Sequence, residues 1–364
     1  MLTQLVDSGC ACAGPAGAQE TTFALDAFSR FVCNTIDEAS EAQRQGGFGF
    51  DVVVIGSGMY GAFTAAKIYT RAKRLPLERR PRVLVLESGP FLISEHFQNL
   101  TRIGPFFDLV NRPVVAENQS YLTQIEHRGG PLQGMSPHHR CVGGQSLFWG
   151  GWAPHLSNAD EQDDLAQWPQ EIREFLLSPE GYADVARQIG TDVTADYIHG
   201  PLMDRLKAIA EHVVSGGAIP HLTRVVDAPI AVHGEGTESG LLAMGKFSSL
   251  PLLLDAIRED AERSGGANGN RFLFLVPNAE VVHIETAEAR ATTLVLAVRQ
   301  PSGDATAPGM GRRIVRFGLS DGAMVCLAGN AINSTHLALN SFRKPPELGT
   351  DLTGKNLMVH VRGK

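Results

Sequence analysis

The sequence predicts an α/β fold in which a parallel sheet is extended by a β-meander. The run FDVVVIG at 50–56 is short and continuously apolar, which is typical of a strand buried on both faces. A helical stretch and a second such run, PRVLVLESGP at 81–90, complete a strand–helix–strand unit. Farther along, the segments at 272–300 and 311–319 show the apolar–polar alternation of strands joined by turns.

The remaining elements are assigned in chain order. The segment at 21–45 has apolar residues at helical spacing from Phe23 to Ile36, which predicts one amphipathic helix. Further helices are expected at 160–188, at 201–215 and from about 250 onward. GAMVCLAGN at 322–330 predicts another buried strand, and AINSTHLALNSF at 331–342 predicts the helix behind it.

Composition excludes several classes of function. Among 364 residues, 39 Asp and Glu outweigh 32 Lys and Arg, and the net charge of −7 argues against a general binder of nucleic acids or anionic membranes. The five cysteines form neither a paired framework nor a CxxC pair, so we predict reduced thiols and no metal site. The sequence has no apolar run that could span a bilayer and no basic N-terminal region typical of a secretion signal, and the expected location is cytoplasmic.

A glycine motif follows the first predicted strand and opens the first predicted helix. Gly56 allows a tight turn, Gly58 lets the backbone approach a pyrophosphate, and Gly61 lets the helix lie close to the strand. The pyrophosphate would sit at the helix N-terminus, where N–H groups and the helix dipole favour negative charge. The sequence therefore predicts a Rossmann-like dinucleotide site that uses the whole turn: Gly56, Ser57, Gly58, Met59, Tyr60 and Gly61.

An acidic residue ends the second predicted strand. Glu87 could accept hydrogen bonds from both ribose hydroxyls of an adenosine, and its charge would repel a 2′-phosphate, which disfavours NADP. The alternative is that Glu87 is only a solvated strand end.

The stretch VGGQSLFWGGW at 142–152 places glycines beside Phe148, Trp149 and Trp152. Glycine lets a backbone approach an object closely, and aromatic rings give that object a flat wall. The pattern favours a flat, phosphate-bearing cofactor, although a glycine-rich turn packed by core aromatics is an alternative, above all for Trp152.

These motifs together resemble a known family. VVVIGSGMYGAFTAAKI followed by RVLVLESGP resembles the adenosine end of FAD-dependent enzymes, whose second strand ends in Glu, a small residue and Gly. CVGGQSLFWGGWAP is similar to the second flavin-contacting loop of the glucose–methanol–choline oxidoreductases, and LAGNAINSTHLALNS resembles a later signature of that family. The resemblance runs in order from about residue 50 to the end. The pattern VGG-x-S-x-x-W in the second flavin-contacting loop favours the pyranose-oxidase-like, sugar-oxidising branch of the family.

The resemblance implies FAD as the cofactor. Beyond the glycine motif and Glu87, it implies the following contacts: Ser88, Val142, Gly143, Gly144, Ser146, Trp149, Val281, Ala328, Gly329 and Asn330. Many members have Asn at the place of Trp149, so the flavin-edge contact of that Asn is not carried over. Pyranose oxidases carry a flavin-linking histidine at the place of Phe148, and the hydrocarbon ring here implies non-covalent FAD.

The resemblance also implies an activity. A flavoenzyme of this family oxidises the CH–OH group of an alcohol or sugar by hydride transfer to flavin N5, and its electrons pass to oxygen or a quinone. The proton goes to a catalytic His from a C-terminal segment, which we expect to lie beyond residue 364, on a continuing chain or on a second chain. His138, His139, His155 and His360 are better explained as loop or core histidines, and no catalytic base is assigned.

This interpretation predicts three parts of the chain and leaves two alternatives. The parts are an N-terminal extension at 1–49, an FAD-binding domain at 50–160 and 225–345, and a partial substrate-binding domain at 161–224 and 346–364. An NAD-dependent dehydrogenase would explain Gly56 to Glu87 but neither of the later motifs. A non-catalytic FAD-binding fragment or subunit would explain the lack of an assignable base. Substrate identity, and oxidase against dehydrogenase, stay open.

Overall fold

The structure is a computed structural model that describes residues 32–47, 49–99, 122–123, 138–155, 169–194, 198–233, 245–301, 310–342, 353–355 and 357. Its described residues form two compact units. The first unit comprises those up to residue 95, those between 122 and 147, and those from 249 onward. The second unit comprises 96–99 and the described residues between 148 and 248. The predicted domain boundaries remain a prediction beside this division.

The described strands, in chain order, are β1 Val52–Ile55, β2 Val83–Leu86, β3 Leu122–Thr123, β4 His138–His139, β5 Val232–His233, β6 Gly245–Lys246, β7 Leu273–Val276, β8 Ala279–Ala287, β9 Arg290–Pro301, β10 Met310–Gly318 and β11 Met324–Leu327. The described helices are α1 Ile36–Gly46, α2 Met59–Ala72, α3 Gln170–Leu177, α4 Pro179–Ile189, α5 Pro201–Ser215, α6 Leu250–Arg263 and α7 Asn330–Ser341. Among these helices, none combines the length and the apolar character that a bilayer crossing demands.

The first unit contains the predicted parallel sheet, in the strand order β11-β1-β2-β7. Every residue of β1, β2 and β7 is buried, because layers of other elements cover both faces. Phe50 and Phe274 pack edge to face in this core with ring centroids 5.1 Å apart. Strands β8, β9 and β10 form the predicted antiparallel meander. The predicted α/β fold class, a parallel sheet plus a β-meander, is confirmed.

The prediction that β11 is a buried strand was wrong. Within the described residues β11 pairs only with β1, so it is an edge strand. Met324 at its start is 62% exposed. An apolar run predicts that a strand is buried, but the position of the strand in the sheet determines how far its side chains are buried.

The predicted N-terminal helix is interrupted, because Val32 is helical and the three residues after it are not. Residues 33–35 are not helical, and α1 starts at Ile36. Thr35 fixes this start through a capping box, since its Oγ1 accepts from the N–H of Glu38 at 3.1 Å and its own N–H donates to Glu38 Oε2 at 2.7 Å. The predicted part of this helix before Val32 lies outside the described residues.

The second unit contains helices where the sequence predicts them. The predicted helix at 160–188 is divided in two, because Ser178 ends α3 and caps α4 by accepting from the N–H of Gly181 at 3.1 Å. Its portion at 160–168 lies outside the described residues. Helix α5 has no buried residue.

Candidate functional site

A cavity of about 680 Å³ lies in the first unit at the carboxyl ends of its parallel strands. Ile55, Leu86 and Leu327, the last residues of β1, β2 and β11, contribute to its wall. Ligands of open parallel sheets bind at this edge, and the volume falls within the usual range of small-molecule sites.

The turn after β1 has the geometry that its glycines predict. Gly56 has φ +101°, and a Cβ there would lie 2.6 Å from the carbonyl oxygen of Ala328. A Cβ at Gly61 would overlap the carbonyl oxygen of Gly56. These two glycines therefore serve the tight turn and the close approach of α2 to the sheet, as the motif spacing predicts.

Gly58 differs from its two neighbours because it faces open space. A Cβ at Gly58 would meet no atom within 4 Å, and the residue lines the cavity with Met59 and Tyr60. It is the N-cap of α2, which has no side-chain cap and no acidic residue in its first turn. Uncapped N–H groups and the positive end of the helix dipole therefore face the cavity, which favours an anionic group there.

A second helix N-terminus reaches the same cavity but is already capped. The cavity is lined by Ala328, Gly329 and Asn330, which lead into α7. Asn330 Oδ1 accepts from the N–H groups of Ile332 at 2.9 Å and of Asn333 at 3.0 Å. Because α7 satisfies its own amides, α2 is the better site for a pyrophosphate.

Glu87 lines the cavity but is only 5% exposed, which excludes the alternative of a solvated strand end. Its Oε2 accepts from Ser57 N–H at 3.0 Å and from Ser57 Oγ at 2.8 Å. Its Oε1 accepts from Gly89 N–H at 2.9 Å and from Ser88 Oγ at 3.1 Å. Burial raises the pKa of Glu87 above its ordinary value, and the four donors act in the opposite direction.

Four donors occupy the lone pairs that a carboxylate offers. A ribose hydroxyl can therefore reach Glu87 only in exchange for one of them. Ser57 is fully buried, whereas Ser88 is partly exposed and lines the cavity. Ser88 is thus the donor that a ribose would replace, and Ser57 is the group that holds Glu87 against the glycine turn.

The loop at 140–147 packs against the turn that follows β1 and against the turn that follows β2. A Cβ at Gly89 would overlap the carbonyl oxygen of Arg140, and a Cβ at Gly144 would lie 3.0 Å from Gly58 Cα. Gly143 donates its N–H to the carbonyl of Ser57 at 3.1 Å. The glycine that ends the motif Glu–small–Gly therefore makes room for this loop.

The residues predicted from this loop lie in different environments. All four are buried, but Gly144 lines the cavity, whereas Val142, Gly143 and Ser146 do not. A Cβ at Gly143 would meet the side chains of Leu147 and Leu250 at 2.9–3.0 Å, so packing within the protein accounts for that glycine.

The two tryptophans predicted near a flavin belong to the second unit. Trp149 donates its indole N–H to the carbonyl of Phe247 at 2.7 Å. Trp152 is 58% exposed, so it is not a packed core aromatic. Their contact with a cofactor stays a prediction.

Strand β8 forms part of the cavity wall. Val281 lines the cavity together with Val282, which the sequence analysis did not identify, and the contact of Val281 with adenine stays a prediction. Val282 is the extra residue of a β-bulge between Val281 and His283, so its backbone is displaced from the ladder with β9. The valine-rich pattern of this strand gives no signal for a bulge.

Polar residues missed by the sequence analysis complete the wall: Arg140, Gln145, Glu280, Asn333, Ser334 and Asn340. Arg140 Nη1 lies 3.0 Å from Glu280 Oε1 across a sequence separation of 140 residues. No local motif indicates such a pair.

Two histidines also reach the cavity. His139 Nδ1 lies 2.7 Å from Gln145 Oε1, and His336 Nε2 lies 3.2 Å from Asn340 Nδ2. His155 stacks on Tyr182 in the second unit, with ring centroids 4.1 Å apart. The side chain of His138 and all of His360 lie outside the described residues. None of these contacts identifies a catalytic base.

The solved structures include remote likenesses of this chain. No family model and no curated protein matches the chain. A structure of pyridoxine 4-oxidase from Mesorbium loti is 16% identical, with a TM-score of 0.43 over 80% of this chain and 52% of that one. A structure of an FAD-dependent oxidoreductase from Chaetomium thermophilum is 14% identical, with a TM-score of 0.41 over 80% of this chain and 47% of that one. The chain thus spans about half the length of these structures. Likeness at this level does not assign it to a family.

Proposed function

We propose that the cavity binds FAD non-covalently and that the chain is part of an FAD-dependent oxidoreductase. The observation that carries the proposal is the convergence of an uncapped helix N-terminus, an unobstructed glycine and a buried carboxylate at the carboxyl ends of parallel strands. The helix N-terminus and the glycine suit the diphosphate of an adenosine diphosphate group, and the carboxylate suits its ribose.

In this proposal, different residues of the cavity would contact different parts of FAD. The N–H groups at Gly58 and the first turn of α2 would hold the pyrophosphate. Glu87 would accept hydrogen bonds from the ribose hydroxyls once the hydroxyl of Ser88 no longer donates to it. The displaced backbone of Val282, next to Val281, would offer hydrogen-bonding groups to adenine.

Within this proposal the enzyme is of the glucose–methanol–choline type and acts on an alcohol or sugar. Bound FAD would supply a hydride acceptor for a CH–OH carbon. The chain's own residues would fix the adenosine end and place the diphosphate at α2. The motif resemblance supports this activity, with oxygen or a quinone as electron acceptor. Phe148 supports non-covalent binding because a phenyl ring cannot link to a flavin.

An NAD-dependent dehydrogenase is a second candidate, because Glu87 and the glycine turn suit the adenosine half of either cofactor. Calorimetric titration of the purified chain with FAD, NAD⁺, ADP and FMN separates the two. The proposal expects FAD to bind most tightly, ADP to compete with it and FMN to leave it bound. NAD⁺ binding as tight as FAD binding would favour the dehydrogenase instead.

A further inference from the structure

One face of the meander carries two arginines that repel each other. Arg299 of β9 and Arg312 of β10 are direct partners in the antiparallel register, so their side chains project from the same face. Like charges placed directly opposite in a sheet are destabilising. Ile314, two residues along β10 on this face, is 64% exposed, so the face is open to solvent there.

Arg299 has no protein partner in the described part of the chain. It is half-buried, yet its guanidinium makes neither a hydrogen bond nor a salt bridge to a described residue. Burial lowers its pKa, and the charges of Arg312 and Arg140 act in the same direction, while Glu280 opposes them. The positive charge of Arg299 is therefore not neutralised by the charged groups around it.

The only carboxylate acting on Arg299 in the described structure is already shared. Glu280 Oε1 lies 3.0 Å from Arg140 Nη1, and Glu280 Oε2 lies 3.8 Å from Arg312 Nη2. Three guanidinium groups and one carboxylate leave a net charge of +2. We call Arg140, Arg299, Arg312 and Glu280 the arginine cluster.

We infer that the arginine cluster is a phosphate-binding site. A phosphate monoester carries a charge of about −1.5 to −2 at neutral pH, which offsets the excess of the cluster. Its oxygens also match the paired N–H groups of guanidinium, so one phosphate can accept from two arginines at once. A carboxylate ligand would bring a single negative charge and leave the cluster positive.

The position of the cluster allows two sources for this phosphate. Arg140 and Glu280 line the cavity, and Glu280 directly precedes Val281 and Val282, which the proposed function assigns to adenine. The phosphate therefore comes either from solution or from a nucleotide whose adenosine lies in the cavity. The inference goes beyond the proposed function and does not depend on FAD binding.

Thermal unfolding in sodium phosphate, against sodium chloride of equal ionic strength, tests the inference. We expect phosphate to raise the unfolding midpoint of the unaltered chain and to leave that of Arg299→Gln unmoved. Arg290→Gln serves as the matched control, because Arg290 lies on the same strand and pairs with Asp321 at 3.4 Å on the surface. Phosphate should raise the unfolding midpoint of Arg290→Gln as much as it raises that of the unaltered chain.

Adenosine 2′,5′-bisphosphate and 5′-AMP distinguish the two sources, because a 2′-phosphate can gain affinity against the repulsion of Glu87 only if the arginine cluster binds it. At least tenfold tighter binding of the bisphosphate, lost in Arg299→Gln, would indicate a nucleotide-borne phosphate. Equal binding of the two nucleotides, together with the effect of inorganic phosphate, would indicate a free one. No Arg299-dependent effect of any of these probes would overturn the inference.

The unfolding midpoint without phosphate gives an independent check. Because the charge of Arg299 lacks a partner, its removal should leave that midpoint unchanged or raise it. A clear decrease would mean that protein groups hold Arg299, and would also overturn the inference. FAD absorbance of the variants reports separately on the proposed function.

Discussion

Two glycines of one turn are expected to respond in opposite ways to the same substitution. In Gly58→Ala the new methyl group enters the cavity and meets no atom within 4 Å. The φ of −65° suits any L residue, so the restricted unfolded chain adds about 0.4–1 kcal/mol of stability. Alanine is a poorer N-cap than glycine by a similar amount, about 1 kcal/mol or less. The net change in unfolding free energy should therefore stay within about 1 kcal/mol.

The effect of Gly58→Ala should be seen in cofactor binding instead. The methyl group occupies the place where the backbone approaches the pyrophosphate, so we expect the FAD Kd to rise about tenfold or more, which corresponds to about 1.4 kcal/mol. Gly61→Ala is the matched comparison. Its methyl overlaps the carbonyl oxygen of Gly56, and separating α2 from the sheet should cost about 3 kcal/mol or more.

Urea unfolding and quenching of FAD fluorescence measure the two quantities on the same preparations. Gly58→Ala should unfold like the unaltered chain and bind FAD weakly, whereas Gly61→Ala should unfold much earlier. The reasoning is refuted if Gly58→Ala binds FAD with unchanged affinity, or if both variants lose stability equally.

Three further predictions concern other contacts of the structure. Glu87→Gln sets an amide NH₂ against N–H donors, so it should lose about 1–3 kcal/mol in urea unfolding and bind FAD more weakly; undiminished stability would contradict the four-donor arrangement. Gly89→Ala should lose about 2 kcal/mol or more through overlap with a neighbouring carbonyl, while Gly269→Ala, which meets no atom within 4 Å, should change stability by about 0.5 kcal/mol or less. Burial lowers the pKa of His96 from 6.5 to about 4, so the unfolded chain binds the proton first and stability should fall by about 3 kcal/mol between pH 6.5 and pH 4. His96→Gln should flatten that part of the stability curve, and an unchanged slope would assign the loss to other groups.

The sequence identified the features that short-range physics determines. The strand–turn–helix at Gly56 to Gly61 follows from apolar runs and a fixed glycine spacing, and the turn geometry agrees with both structural reasons given for the glycines. The position of Glu87 at a strand end also follows from the short apolar run that precedes it. Its burial, however, depends on Ser57 and Gly89, whose N–H groups turn toward its carboxylate.

The features that the sequence could not indicate depend on long-range pairing. The edge position of β11 is decided by strand order, and the role of Gly89 is decided by Arg140, which is 51 positions away. The opposition of Arg299 and Arg312 requires the register of β9 with β10. Apolar periodicity carries none of this information, because it records only which face of an element is buried.

The visible absorption spectrum tests the central claim most directly. The purified chain would be incubated with FAD, separated from free cofactor by gel filtration and then precipitated with acid. We expect a flavin spectrum on the folded chain and all of the colour in the supernatant after precipitation. Colour in the pellet would contradict non-covalent binding, and a folded chain that retains no flavin would contradict the assignment of the cavity to FAD.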